Sequence, residues 1–229
     1  MEVSLKQLVQ KYKHAWLLLA YGLFYLIWFV LLESHVTHEY TSIHIWLDDL
    51  VPFNEWFVIP YFLWFVFIAV TIGYFFFTSR SDYYRCCAYL FSGMTVCLII
   101  YTLWPNGQNL RPDLDSLGRD NLLIDIVRML YGTDTSTNVC PSIHVYNSIA
   151  ACVAIYHSES LRRHRFVFPA SVVLAVLICL STVFLKQHSV FDGICSIVLI
   201  VLLYPLVYGF VYQRVQARQK QKERRVNQV

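Results

Sequence analysis

Residues 56–78 read WFVIPYFLWFVFIAVTIGYFFFT, 23 positions without a charged side chain. About 20 mostly apolar residues are what a helix needs to cross the hydrocarbon of a bilayer, and a soluble helix of that length interleaves polar positions. Five more apolar blocks surround it: Trp16 to Leu32, Cys86 to Trp104, Pro141 to His157, Phe166 to Phe184 and Gly193 to Tyr212. The composition agrees, with 57% hydrophobic and only 14% charged residues among 229, against about 25% charged in soluble domains. The expectation is an all-α polytopic membrane protein with one membrane domain over 1–229. It is a six-transmembrane-helix bundle spanning about 16–32, 56–78, 86–104, 141–157, 166–184 and 193–212. The fourth block is the shortest and most polar of the six.

Basic residues test this plan, because they accumulate on the cytoplasmic side of membrane proteins. One side holds fourteen of them, among them Lys11, Arg80, Arg85, Arg162, Arg163 and the cluster from Arg214 to Arg225, with four acids. The other holds Arg111, Arg119, Arg128 and Lys186, with eleven acids. Both the N-terminal segment 1–15 and the basic tail 213–229 are therefore expected in the cytoplasm. The tail reads as a topology signal that touches anionic lipid headgroups, not as a nucleic-acid-binding element.

The first block meets Glu33 with no small-residue cleavage site, so it is expected to remain as a helix, not to be removed as a signal peptide. Seven cysteines, Cys86, Cys87, Cys97, Cys140, Cys152, Cys179 and Cys195, show no metal-type spacing and sit mostly in apolar blocks, as small hydrophobes do. Cys86 and Cys87 fall at the membrane edge, where palmitoylation is the chemical alternative to a structural role. Two outer segments are long. Glu33 to Glu55 has Ile43, Trp46, Leu47 and Leu50 at helical spacing, which predicts an amphipathic piece on the membrane surface. Pro105 to Cys140 contains a short helix over Asp120 to Tyr131, with Gly132 just past its end. His35 and His38 read as solvated side chains.

Asp192 falls about one turn into the last block, and an unpaired charge at the centre of a bilayer costs roughly 2.5–3.5 kcal/mol. His188 lies four residues earlier, a spacing that puts two side chains on one helical face. An Asp accepting from one imidazole nitrogen leaves the other free as base or nucleophile; the plain alternative is a structural pair anchoring a helix end. The fourth block opens Cys140-Pro141-Ser142-Ile143-His144, with Pro at the first helical position. A helix start of that kind attracts anions through its free N–H groups, Ser142 adds a hydroxyl, and His144 is placed to protonate a departing oxygen. Arg111 and Lys186 belong to the same side. Together these groups suit a phosphate.

The order Arg111-Pro112, then Pro141-Ser142-Ile143-His144, then Ser181 with His188 and Asp192, on six helices, resembles the type 2 phosphatidic acid phosphatase superfamily. That resemblance implies His188 as the nucleophile on phosphorus, His144 as the acid for the leaving group and Asp192 as the orienting group. It implies substrate-binding roles for Arg111, Ser142 and Ser181. Three positions depart from the family pattern: Trp104 stands where its first motif has Lys, Ile143 where the second has Gly, and Thr182 where the third has Arg. Lys186 is the candidate replacement for the missing cations. The implied activity is metal-independent and cofactor-free hydrolysis of a lipid phosphate at the non-cytoplasmic face, through a phospho-His intermediate. A lipid phosphotransferase of the sphingomyelin or inositol phosphorylceramide synthase type uses the same triad with an alcohol as acceptor. A transporter is the non-enzyme alternative, although transporter sites lie near the midplane on interrupted helices. A zinc site from His144, His188, Asp192 and Cys140 is a further one. The partners expected are the lipid phosphate and the surrounding membrane lipids.

Overall fold

The computed structural model describes residues 10–35 and 39–211. The segment 1–9, His38, the side chain of His35 and the basic tail lie outside the described residues. Nine helices are described: α1 Ala15–His35, α2 Trp46–Leu50, α3 Val58–Thr78, α4 Arg80–Leu103, α5 Leu122–Thr133, α6 Ile143–His157, α7 Glu159–Arg162, α8 Val167–Phe184 and α9 Val190–Tyr204. A π-helical turn, Pro205–Val211, prolongs α9, and single 3₁₀ turns cover Glu55–Phe57 and Asp115–Leu117. Among the described residues, α1, α3, α4, α8 and α9 are long and apolar enough to cross a membrane, the mark of a multi-pass membrane protein.

The expected fourth span is a helix of 15 residues, roughly 22 Å at 1.5 Å per residue. Pro141 is not helical and Ser142 is the N-cap, and unlike α9, whose 15 residues are prolonged by the π-helical turn, this helix has no extension. Most of α6 is buried, since it occupies the middle of the bundle against α3, α4, α8 and α9. Tyrosines of α4 tie that centre together. Tyr146 on α6 donates to the Tyr89 carbonyl at 2.8 Å, Tyr89 to the Ile200 carbonyl of α9 at 2.7 Å, and Tyr101 to the Pro141 carbonyl at 2.5 Å. Hydroxyls buried in an apolar bundle have no water to turn to, so each needs such a partner.

Four local expectations are corrected. α4 begins at Arg80, ahead of Cys86, because Ser79 caps it through the Asp82 amide and Arg85 pairs with Asp82 at 2.6 Å in the first turn. Cys86 and Cys87 are consequently fully buried rather than at an exposed edge. The short outer helix is α5, two residues further on, because Asn121 caps it by accepting from the Leu123 and Ile124 amides; Gly132 lies inside it. Glu33 to Glu55 does not form one amphipathic helix. Thr41–Ser42 (β1) pairs in parallel with Asn106–Gly107 (β2), Ile43 is buried beside Val139 and Cys140, and among the described residues between α1 and Glu55 only Trp46–Leu50 is helical.

Close packing between α4 and α6 depends on Gly93. A Cβ there would lie 1.9 Å from Cζ of Tyr146, whose ring is fully buried and pinned by its hydroxyl. Gly93→Ala is therefore expected to lower stability by about 1–3 kcal/mol, the usual cost of overpacking. Gly22→Ala, where nothing lies within 4 Å, should change little. Thermal unfolding in detergent compares them, and equal melting of the two variants contradicts this packing.

Candidate active site

Two acids start helix α9, one in its own first turn and one from α2. Asp192 accepts from the Ser189 amide at 3.0 Å, while the Ser189 hydroxyl accepts from the Phe191 amide at 3.1 Å. This reciprocal cap satisfies donors that a helix start otherwise leaves open. Asp48, from the short α2, completes it by accepting from the Val190 amide at 2.8 Å and the Ser189 hydroxyl at 2.7 Å. The cap also places His188. The expectation of one shared helical face is corrected: His188 precedes the helix, and the cap brings its Nδ1 to 3.3 Å from the Asp192 carboxylate.

His188 Nδ1 also lies 3.0 Å from the Val139 carbonyl. Both neighbours are acceptors, so Nδ1 carries the proton and Nε2 is left as the basic nitrogen. Val139 is held in turn by Asn106, a fully buried residue whose Oδ1 accepts from the Val139 and Cys140 amides at 3.0 and 2.8 Å, while its Nδ2 donates to the Cys140 carbonyl at 3.1 Å. Asn106 thus connects β2 to the peptide leading into α6, and through it to His188.

His144 sits in the first turn of α6, 5.7 Å from His188 between ring centres. Its ring packs on Trp64 at 4.5 Å and Tyr61 at 4.7 Å, both from α3. The two imidazoles share the wall of a cavity of about 400 Å³. A phosphoryl group held between rings at that separation lies within reach of both. One wall is apolar, with Leu26 and Phe29 of α1 and Phe62 and Phe65 of α3; the other carries Glu33, Asp134, Asn138 and Gln187.

The remaining expected residues are engaged with protein groups. Ser142 is fully buried and caps α6, its hydroxyl accepting from the Val145 amide at 3.4 Å. Ser181 donates to the Ile178 carbonyl of its own helix at 2.6 Å and does not line the cavity. Lys186, expected as a replacement cation, turns away. Its left-handed backbone (φ 53°) sends Nζ to the carbonyls of Asp48 and Val51, at 2.7 and 2.5 Å. Burial pushes its pKa down, against the nearby Asp48 and Asp49. Arg111 lies behind the cavity wall, its guanidinium stacked 4.5 Å from the Tyr131 ring centre and donating to the carbonyls of Tyr131, Asp134 and Thr135 and to Oε1 of Gln187. Burial lowers its pKa too, with Asp134 the largest opposing influence. Among the described residues no Lys or Arg lines the cavity, and no group of His, Cys, Asp and Glu is disposed to hold a metal.

Sequence reasoning missed Asn106, Asp48, Asp134 and Gln187. None of them carried a signal; Asp48 falls on the polar side of the helical spacing of Ile43, Trp46, Leu47 and Leu50.

The PAP2 superfamily model matches residues 87–216, more than half of the chain. The chain belongs to the PAP2 superfamily, whose members are metal-independent phosphatases or phosphotransferases acting on phosphate esters. Neither a curated protein nor a solved structure matches it.

Proposed function

We propose that this protein is a membrane lipid phosphatase that works through a phosphorylated His188. The observation that carries the reading is the fixed tautomer of His188: two acceptors hold its Nδ1 proton, and its ring borders the cavity opposite His144. In the first step Nε2 of His188 attacks phosphorus, the P–N bond forms as the P–O bond to the lipid breaks, and His144 gives its proton to the departing oxygen. In the second, His144 takes a proton from water, the water oxygen attacks phosphorus, and the P–N bond breaks to release phosphate. Asp192 holds the imidazole and stabilises the positive charge it gains.

A lipid substrate is supported by the route into the cavity. Trp64 and Phe65 line both the cavity and an apolar groove between α1 and α3 that includes Leu18, Leu19 and Ile68. Lipid tails in that groove keep their apolar surroundings while the headgroup reaches the histidines. The reading counts α6 as a span, the fourth of six, and puts both termini in the cytoplasm, supported by the unequal division of basic residues. It places the site at the non-cytoplasmic face.

One observation favours the phosphotransferase as a second reading. The carboxylates of Glu33 and Asp134 line the cavity, whereas Arg111 and Lys186 do not. A phosphodiester with a single negative charge meets less repulsion there than a dianionic monoester, and an alcohol then replaces water in the second step.

Purified protein supplied with diacylglycerol and polyprenyl phosphates and with phosphodiester lipids, in EDTA, should release inorganic phosphate; transfer of a headgroup to an alcohol instead selects the second reading. His188→Ala should lower turnover by about 10⁴-fold or more. Loss of activity in EDTA that zinc or magnesium restores contradicts the metal-free mechanism. For orientation, Ser116→Cys and Arg163→Cys are compared on intact cells, in a background with the native cysteines replaced, using an impermeant thiol reagent. Labelling at 116 and not 163 is expected, and the reverse places the site on the cytoplasmic face.

A further inference from the structure

The two missing family cations, at Trp104 and Thr182, and the engagement of Lys186 elsewhere, leave open what faces the oxygens of a phosphoryl group. Gln187 answers it. Its side chain is 98% buried, since 2% is exposed, and it lines the cavity next to His188. The chemistry of its neighbour assigns the two ends of the amide. Arg111 Nη2 contacts one end, and a guanidinium only donates, so that end is Oε1. The other end is Nε2, with no hydrogen-bond partner among the described residues. A buried donor left unsatisfied costs about 1–3 kcal/mol, a cost that persists where function uses the group.

We propose that Nε2 of Gln187 is an oxyanion donor: it hydrogen-bonds a non-bridging oxygen of the phosphoryl group during transfer to and from His188. This rests on the phosphoryl-transfer reading above. Arg111 is then a positioning residue that acts through Gln187. It is anchored by the carbonyls of Tyr131, Asp134 and Thr135, fixes the amide by its oxygen so that Nε2 is the free end, and polarises it with its charge. A dipole held in place in this way stabilises developing negative charge without needing to reorient at the moment of reaction. The arrangement also accounts for an Arg that matches a family phosphate-binding position yet sits behind the wall: its charge reaches the phosphate through one neutral amide.

The test compares Gln187→Ala, Gln187→Glu, Arg111→Ala, the Gln187→Ala/Arg111→Ala pair and His188→Ala, each folded by thermal unfolding. Gln187→Glu keeps an acceptor for Arg111 and replaces the donor with an anionic oxygen, while Gln187→Ala removes the donor without adding charge, so a loss common to both reports the donor. Both Gln187 variants should lose about 10²–10³-fold in kcat, the usual cost of one oxyanion donor, with KM changed far less. Vanadate, a phosphate mimic, should inhibit them correspondingly more weakly. The double variant should be no slower than Gln187→Ala, as expected for two groups acting as one unit. Gln187→Glu or Gln187→Ala within threefold of wild-type kcat, beside an inactive His188→Ala, overturns the amide's role and leaves the phosphoryl-transfer reading standing. Equal activity of His188→Ala and wild type overturns both.

Discussion

The hydrogen bonds of His188 Nδ1, to the Val139 carbonyl and the Asp192 carboxylate, are what the rest of the site depends on. They bind together three elements distant in sequence: the Asn106-held peptide entering α6, the first turn of α9, and through Asp48 the segment after α1. Each link satisfies a backbone donor or acceptor that would otherwise be stranded at a helix end or in a turn. The imidazole is thereby held by structural requirements, so its orientation needs no ligand to set it. Hydrogen bonds involving a carboxylate contribute about 1.5–3 kcal/mol each, and a group built into such a network keeps its geometry when the substrate changes.

The bundle below serves that arrangement. Packing in an apolar medium draws little from the hydrophobic effect and relies on close contact and internal hydrogen bonds. Gly93 permits the approach of α4 and α6, and the tyrosine hydroxyls of α4 and α6 fix their depth relative to α9. α1 is held to α4 through Tyr21, which stacks on Phe91 at 3.9 Å and bonds to its carbonyl at 2.9 Å. Along α3 it is less engaged, and the apolar groove lies there.

How much of this is legible in the sequence differs by level. The long apolar helices are plain, because hydrocarbon tolerates few other patterns over 20 residues. α6 is harder to read: as a central helix it is covered by protein and carries Asn147 and Ser148 within its buried face. The His and Asp spacing identifies a pair, but the pair forms through a helix cap, a geometry that i to i+4 counting does not distinguish from a helical face. Charges were the least legible part. A count of cations on one side assigns Arg111 and Lys186 to a phosphate, yet in the fold each is taken up by backbone carbonyls, whose positions no residue spacing encodes. Gln187, neutral and adjacent to His188, gives no signal in the sequence. It becomes visible only once Arg111 is seen to hold its oxygen.

The central claim is that His188 carries the phosphoryl group, and the direct measurement is its capture. Wild-type protein mixed with phosphorus-labelled lipid substrate and quenched in alkali within milliseconds should yield an acid-labile phosphoryl adduct on the peptide containing His188. His144→Ala, which retains the nucleophile but lacks the group that serves both steps, should form the adduct slowly and lose it slowly. Label on Ser142 or Asp192, or turnover with no adduct on His188, contradicts the account.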